Sequence, residues 1–180
     1  GIAQPYPVKA VRLVVPFPPG ASNDVISRLI GQRLAENLRQ PMVIDNRGGA
    51  GGALGAEIVA KAPADGYTLL ATSTSYTTNA AVQMRPTYDP LTDIVGVAMI
   101  GKAPMLVTVH PALPVKSINE LIAHATAHPS KINYASSGNG STVHFVTEVF
   151  KSEARIAMTH VPYKGLGPAL NDLIAGQTQL

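Results

Sequence analysis

Residues that could bind a small molecule gather in a glycine-rich stretch in the second half of the chain. Ser136 to Thr142 reads SSGNGST and combines two glycines with hydroxyl and amide side chains. Glycine lets the backbone approach a bound group closely, and the other residues supply hydrogen-bond donors. A helix is predicted directly after the stretch, and its first N–H groups carry a partial positive charge. The pattern favours a carboxylate site, although helix capping by Ser141 explains the same residues equally well.

A second glycine-rich stretch, Gly48 to Gly55, is only superficially similar to a dinucleotide-binding motif. Gly49, Gly51 and Gly55 give G-x-G-x-x-x-G instead of G-x-G-x-x-G. No acidic residue ends a following strand about 20 residues later, where a ribose partner is required. We therefore interpret the stretch as a tight strand-to-helix turn. A nucleotide-binding α/β enzyme that uses the Gly49–Gly55 loop is the alternative from another functional class.

Catalytic and metal-binding patterns are incomplete in this sequence. Ser141 and His144 are three residues apart, but no third triad member and no G-x-S-x-G motif accompany them. His124 and His128 have the i, i+4 spacing of metal ligands, yet no acidic residue completes H-E-x-x-H. Asp24 suits the first turn of a helix better than the role of a general base. We predict no enzyme, no catalytic residue, no metal and no cofactor.

Apolar runs and helical patterns alternate along the first half and position these loops. The predicted elements are a strand at Ala10–Val15, a helix from about Ser22, a strand at Met42–Ile44, a helix at Ala53–Lys61 and a strand at Tyr67–Ala71. The helix that starts near Ser22 is assigned an apolar face and a cap from the Ser22 hydroxyl. The order predicts a parallel sheet with helices on both faces. The loops after its strands, including Thr72 to Asn79, should meet at one edge.

The second half repeats this style and predicts a second α/β lobe. The elements are strands at Val95–Ile100, Met105–His110, Ile132–Ala135 and Ala157–Val161, and helices after Ser117 (a capping box with Glu120), after Ser141 and at Pro168–Ala175. Gly101 to Pro104 looks like a crossing or hinge. We predict an α/β fold with a first lobe at residues 1–100 and a second at 101–180. The second lobe is expected to be incomplete at its C-terminal end, since Gly176–Leu180 resembles the opening of another strand.

Composition excludes several other classes of protein. Among 180 residues, 46% are hydrophobic and 14% charged, which is typical of a globular fold and not of a disordered chain. The formal net charge of +3 is spread thinly, and with six Tyr, three Phe and no Trp we expect no nucleic-acid partner. The absence of cysteine excludes disulfides and thiolate sites. No apolar run approaches the roughly 18 residues of a membrane span.

Six stretches of the sequence together point to a known family. They are, in chain order, VRLVVPFPPGASNDVISRLI, VIDNRGGAGGALGAEIVAKAPADGYTLL, YDPLTDIVGVAMIG, HPALPVKSINELIAHA, INYASSGNGSTVHF and HVPYKGLGPALNDLIAGQTQL. Jointly they resemble the Bug/TctC family, the extracytoplasmic solute receptors of tripartite tricarboxylate transporters. The resemblance implies a periplasmic binding protein type II-like fold, a two-lobe Venus flytrap that captures small organic carboxylates between its lobes.

The resemblance also implies ligand-binding positions, partners and a location. The implied positions lie on loops of both lobes and are Phe17, Ala21, Ser22, Asn23, Asp24, Ser73, Ser75, Ser137, Gly138, Asn139, Gly140, Ser141, Thr142 and Tyr163. The implied partners are a carboxylate ligand and membrane transport components. We expect a periplasmic monomer that does not span the membrane, with any signal peptide already removed. A binding protein coupled to a sensor is a further alternative.

The sequence departs from the family pattern at four places. Ala21 stands where a second Gly is usual, and Ala53 stands where a polar residue is frequent. Leu166 replaces a residue that is commonly small or hydroxylated, which is expected to make the pocket more apolar. Family members also continue well beyond Leu180, so we expect the chain to be a fragment of the fold.

Overall fold

A computed structural model describes residues 5–180, which form two compact α/β units. The division falls between Ile94 and Val95, whereas the sequence placed the boundary after residue 100. Both sheets are parallel, so the predicted fold class is confirmed. Among the described residues, no helix is both long and apolar enough to cross a membrane.

The first unit is built on a three-stranded parallel sheet. Its strands are β1 (Val11–Val15), β2 (Met42–Asn46) and β3 (Thr68–Leu70), in the spatial order β2-β1-β3. The helices are α1 (Ser22–Leu38), α2 (Ala53–Ala60), which follows a short 3-10 helix at Ala50–Gly52, and α3 (Ser75–Val82). Because β1 is central, its apolar residues are buried, as expected for a strand of a covered parallel sheet.

Helix α1 packs differently from its apolar pattern. Its buried residues are Asp24, Ser27 and Gly31, while Leu29 remains 64% exposed. A Cβ at Gly31 would lie 3.0 Å from Ile44 Cδ1, so the helix approaches β2 through its small residues. Of the predicted face (Val25, Ile26, Leu29, Ile30, Leu34 and Leu38), the first three residues are therefore exposed and only the last three are half-buried. Small side chains allow the closer approach here, and packing overrides the hydrophobic period.

The predicted cap of α1 is also wrong. Ala21 occupies the N-cap position, without a side-chain hydrogen bond, and Ser22 is already the first helical residue. The carboxylate of Asp24 instead reaches back to the N–H of Gly20, with a distance of 2.8 Å. An ionised acceptor in the first turn gains from the helix dipole as well, so it performs this role better than a hydroxyl.

The second unit has a two-stranded parallel sheet and three helices. They are β4 (Asn133–Ser136), β5 (Thr159–Pro162), α4 (Ile118–Ala127), α5 (Thr142–Ala154) and α6 (Leu166–Ile174). The predicted capping box is present, because Ser117 Oγ accepts from Glu120 N and Glu120 Oε2 accepts from Lys116 N. Beyond α6, Gln179 N donates to Asn133 O over 2.9 Å, so the last residues hydrogen-bond beside β4.

The two strands predicted at Val95–Ile100 and Met105–His110 are wrong. In the described chain this whole segment has no regular secondary structure and pairs with no strand, and only its last residue, His110, makes backbone hydrogen bonds, donating to Gln179 O and accepting from Leu113 N. Val97 is 83% exposed and Leu106 is 80% exposed. Strand formation requires a neighbouring strand to satisfy the backbone groups, and an apolar sequence alone does not supply one.

Candidate functional site

The loops after all three strands of the first unit meet at one place. Phe17 follows β1, Gly52 follows β2 and Ser75 follows β3. A Cβ at Gly52 would lie 3.2 Å from Ser75 Oγ and 3.4 Å from Phe17 Cζ, so the three residues are in close contact. Gly52 also has a φ of 107°, in the left-handed region that favours glycine. The sheet edge that the sequence predicted is therefore present in this unit.

Asp24 organises the loop after β1. Its side chain is buried, with Oδ2 accepting from Gly20 N and Arg28 Nε, and Oδ1 from Asn46 Nδ2. Asn46 Nδ2 also donates to Phe17 O over 3.0 Å. The hydrogen bond from Arg28, helped by Gly20 and Asn46 against the cost of burial, lowers the pKa of Asp24 to about 2. The carboxylate therefore holds three segments together, and its own oxygens are occupied.

The N-terminal turn of α1 leaves donors available. Ser22 is exposed and Asn23 is half-buried, and neither side chain bonds to any described residue. The first N–H groups of a helix lack intrahelical acceptors. Ala21 is half-buried and its N–H donates to Pro18 O over 3.2 Å, which closes the loop before the helix. Because Arg28 already balances the charge of Asp24, this turn can still attract an anion.

The polar stretch after β3 divides between scaffold and surface. Ser73 Oγ donates to Ser75 Oγ over 3.1 Å, and Ser75 is fully buried. Asn79, also buried, donates from Nδ2 to Gly51 O and to Ser75 O. Ser75 therefore belongs to the packing that joins α3 to the glycine-rich loop, while the half-buried Ser73 lies nearer the surface.

In the second unit, the SSGNGST loop (residues Ser136–Thr142) is folded by its own hydrogen bonds. Gly138 N donates to Ser136 Oγ over 3.1 Å, and Ser141 N donates to Gly138 O over 3.1 Å. Ser141 Oγ caps α5 by accepting from His144 N over 3.3 Å. Gly138 and Gly140 have φ values of 122° and 74°, which side-chain-bearing residues rarely adopt. The capping role considered for Ser141 is therefore real.

This folding leaves open donors at the tip of the SSGNGST loop. Ser137 is half-buried and Asn139 exposed, and neither makes a hydrogen bond to any residue in the described range. Thr142 begins α5, so the loop leads directly into the positive end of a 13-residue helix. Hydroxyl, amide and backbone donors at such a position match the needs of a carboxylate.

Two stacked histidines support this loop, and neither was among the predicted site residues. His160 Nε2 lies 2.7 Å from Ser136 Oγ, and His144 Nδ1 accepts from Gly140 N over 3.2 Å. The two imidazole rings are 4.1 Å apart and nearly parallel. Burial, and then the neighbouring His144, lower the pKa of His160. Both histidines thus act on the loop through its backbone and Ser136.

A charged pair completes the support. Tyr134, stacked on His160 with ring centroids 4.8 Å apart, donates a short hydrogen bond to Glu148 Oε1. Lys151 Nζ lies 2.7 Å from the same oxygen. Burial disfavours the charge on Glu148, but the hydrogen bonds from Lys151 and Tyr134 outweigh it and hold the pKa of Glu148 below its usual value. His144, four residues earlier on α5, adds a smaller electrostatic contribution in the same direction.

Tyr163 joins the loop by its backbone. Its N–H donates to Ser136 O over 3.0 Å, while its hydroxyl donates to Asp172 Oδ2 over 2.6 Å. The hydrogen bond to Asp172 raises the pKa of the Tyr163 phenol. The ring is half-buried, and the hydroxyl is held by α6.

The features that suggested other chemistry have structural explanations. A Cβ at Gly55 would lie 2.7 Å from Pro16 Cβ, so this glycine allows α2 to pack on the loop after β1. His128 Nδ1 lies 3.1 Å from His124 O, at the end of α4. No group of three or more His, Cys, Asp or Glu residues in the described part of the chain is arranged to hold a metal ion.

Comparison with known proteins identifies the family. The model of the tripartite tricarboxylate transporter family receptor, TctC, matches residues 26–180. This chain belongs to the TctC family. Among its curated members, Protein BugT of Bordetella pertussis (strain Tohama I) is 40% identical over 183 residues, which cover 98% of this chain and 56% of BugT. The resemblance predicted from the six sequence stretches is confirmed.

Solved structures of TctC-type proteins confirm the fold. A protein of R. palustris solved with adipate is 43% identical, has a TM-score of 0.90, and aligns over 97% of this chain and 58% of its own. MatC from Rhodopseudomonas palustris with bound malate is 34% identical, also at a TM-score of 0.90, over 97% and 60%. The fold is that of the family's periplasmic binding proteins. The chain spans little more than half the length of these relatives.

Four residues that support these loops were not predicted from the sequence. Asn46 and Arg28 complete the contacts of Asp24, and His144 and His160 support the SSGNGST loop. His144 carried a usable signal, since it stands three residues after the cap Ser141, where a capping-box side chain reaches back. His160 carried none, because its contact with Ser136 depends on the pairing of β4 with β5.

Proposed function

We propose that this chain carries carboxylate-binding loops of a periplasmic solute receptor that delivers its ligand to membrane transport components and catalyses no reaction. The observation that carries the proposal is the SSGNGST loop, which is fixed internally and leaves the donors of Ser137 and Asn139 free at the start of α5. Dicarboxylates such as adipate and malate, present in the two related structures, define the ligand class to test.

The first unit supports the proposal with an equivalent arrangement. A central strand leads through a glycine loop to the N-terminus of a long helix, where Ser22 and Asn23 offer donors. Asp24 does not oppose an anion there, because Arg28 and Asn46 neutralise and cover its oxygens. We propose that Phe17 and Ser73 border this turn, and that Asp24 and Ser75 act by holding the loops in place.

A role without catalysis is supported by the engagement of the reactive side chains. Ser141 is occupied with capping and His144 with Gly140. Ser136 already meets His160 and Gly138 from within the buried interior. A nucleophile needs an accessible oxygen beside a base, and these hydroxyls are committed to the fold instead.

Calorimetry on the longest natural protein that carries this sequence tests the proposal. Adipate and malate are titrated into the native protein and into Ser137→Ala, with Ser152→Ala on the exposed end of α5 as the matched control. Because one hydrogen bond to a charged group is lost, we expect Ser137→Ala to weaken binding roughly tenfold or more. The control should bind as the native protein does.

The outcome decides between functional classes. Binding of a dicarboxylate that Ser137→Ala weakens supports a receptor with its site at the SSGNGST loop. Equal affinity in Ser137→Ala and the native protein removes that residue from the site. If no mono-, di- or tricarboxylate binds while a nucleotide stabilises the protein, the enzyme alternative at Gly49–Gly55 replaces the receptor.

A further inference from the structure

The start of α5 is closed by a reciprocal pair of hydrogen bonds that uses a histidine. Ser141 Oγ accepts from His144 N, and His144 Nδ1 accepts from Gly140 N. In the usual capping box, a Glu or Gln side chain fills this second role. A carboxylate or amide oxygen accepts over a wide pH range, but an imidazole nitrogen accepts only while it carries no proton. This box therefore depends on the protonation state of His144.

We propose that His144 is a positioning residue whose neutral imidazole locks the SSGNGST loop in its ligand-binding shape, so that carboxylate affinity falls as His144 becomes protonated. The inference rests on the proposed function, because it concerns the same loop. Gly140, with a φ of 74°, presents its N–H to His144, and a proton on Nδ1 would set two donors against each other at 3.2 Å. The turn between Gly138 and Ser141 must then change.

The groups around His144 act on an added positive charge in both directions. His160 of β5 stacks on it at 4.1 Å, and His160 in turn stacks on Tyr134 of β4. Lys151 of α5 lies 5.3 Å from the centre of the Tyr134 ring. The acidic neighbour, Glu148, is already bound by Lys151 and Tyr134. Glu148 therefore attracts a positive charge on His144, but with a carboxylate that Lys151 and Tyr134 already share.

Attraction between a protonated His144 and an anionic ligand works in the opposite direction. That attraction starts from a half-buried imidazole and reaches the half-buried Ser137 and the exposed Asn139, where water and salt weaken it. The loss of the Gly140 hydrogen bond acts directly on the backbone that holds the ligand, and Gly140 itself is buried. We therefore expect the loss of the hydrogen bond from Gly140 N to His144 Nδ1 to outweigh this attraction. The affinity for adipate or malate should be roughly tenfold weaker at pH 5.5 than at pH 8.

The test compares two substitutions at His144 by calorimetry between pH 5.5 and pH 8, with adipate and malate as probes. His144→Gln restores a non-titrating acceptor and should bind almost equally at every pH. His144→Ala removes the acceptor and should bind weakly throughout. His124→Gln, on α4, is the matched control and should keep the native pH dependence. In parallel, NMR follows the Gly140 amide of the ligand-free protein across the same range.

The results distinguish the role of His144 from the carboxylate-binding function itself. A Gly140 amide that shifts with pH in the native protein but not in His144→Gln, with affinity following it, establishes the proposal. An affinity that depends on pH equally in the native protein and His144→Gln overturns it while leaving the receptor intact. If the Gly140 amide signal changes with pH but the protein binds no carboxylate at any pH, the hydrogen bond between His144 and Gly140 is supported and the carboxylate-binding function is rejected.

Discussion

Replacing Asp24 by Asn tests how the loop after β1 is held. The pKa of this carboxyl is lowered from 3.8 to about 2 in the folded chain, first by Arg28. A shift of that size corresponds to about 2 kcal/mol of folding free energy at neutral pH. Asn retains the shape but loses the charge, while Arg28 remains partly exposed and can be solvated by water. We therefore expect Asp24→Asn to destabilise the first unit by about 2 kcal/mol at pH 7.

The stabilisation that Asp24 provides should depend on pH in a defined direction. Since the folded pKa lies below the unfolded one, the stabilisation is complete well above pH 3.8 and disappears as the pH falls through about 2. About half of it should remain at pH 3. The difference between the native chain and Asp24→Asn should shrink accordingly, whereas a purely steric defect would cost the same at both values.

Urea unfolding, followed by the methyl NMR signals of Leu13 and Val14, assigns the free energy to the first unit. Glu36→Gln is the matched control, because Glu36 lies on the same helix in an exposed pair with Arg33. Such surface pairs contribute at most about 1 kcal/mol. An Asp24→Asn variant as stable as this control at pH 7, or equally impaired at pH 7 and pH 3, would refute the reasoning.

Two further substitutions test the packing and capping of the fold. Gly55→Ala should destabilise the first unit by about 1–3 kcal/mol in urea unfolding, because its Cβ would lie 2.9 Å from Pro16 Cα. Gly101→Ala, with no atom within 4 Å of the added Cβ, should leave stability unchanged, and equal stability of the two variants would contradict the packing argument. Glu120→Ala should cost about 1 kcal/mol by hydrogen exchange in α4, since Lys116 N loses its acceptor. Glu120→Gln should retain most of that stability, and a loss equal to that of Ala would show that the hydrogen bond contributes nothing.

Local signals predicted five of the six α-helices and all five paired strands of the described residues, but missed α3 (Ser75–Val82), which lies where Thr72 to Asn79 was expected to form a loop. The run that ends at Val15 is a buried strand, and Ser117 with Glu120 forms the expected capping box. These features depend on residues close together in the chain. The strands expected at Val95–Ile100 and Met105–His110 failed because pairing depends on a distant neighbour that the described chain does not supply.

The loops of the candidate site could be predicted from the sequence, but the residues that hold those loops in place could not. The glycines and hydroxyls of Ser136 to Thr142 are visible in the sequence, and so is the first-turn position of Asp24. The partners Asn46 and His160 come from neighbouring strands, so only the sheet register brings them to Asp24 and Ser136. The same limit explains why Ser22 was misassigned as a cap. Its competitor for that role, the Asp24 carboxylate, was visible, but its hydrogen bond to Gly20 was not.

The internal bonding of the SSGNGST loop separates its shape from the chemistry that it displays. Ser136, Gly138, Gly140 and Ser141 close the turn among themselves and with His144, whereas Ser137 and Asn139 take no part. Exchange of these two side chains therefore removes no hydrogen bond from the loop. If the proposed function holds, such exchanges would change which solute is preferred while the backbone of the loop keeps its shape.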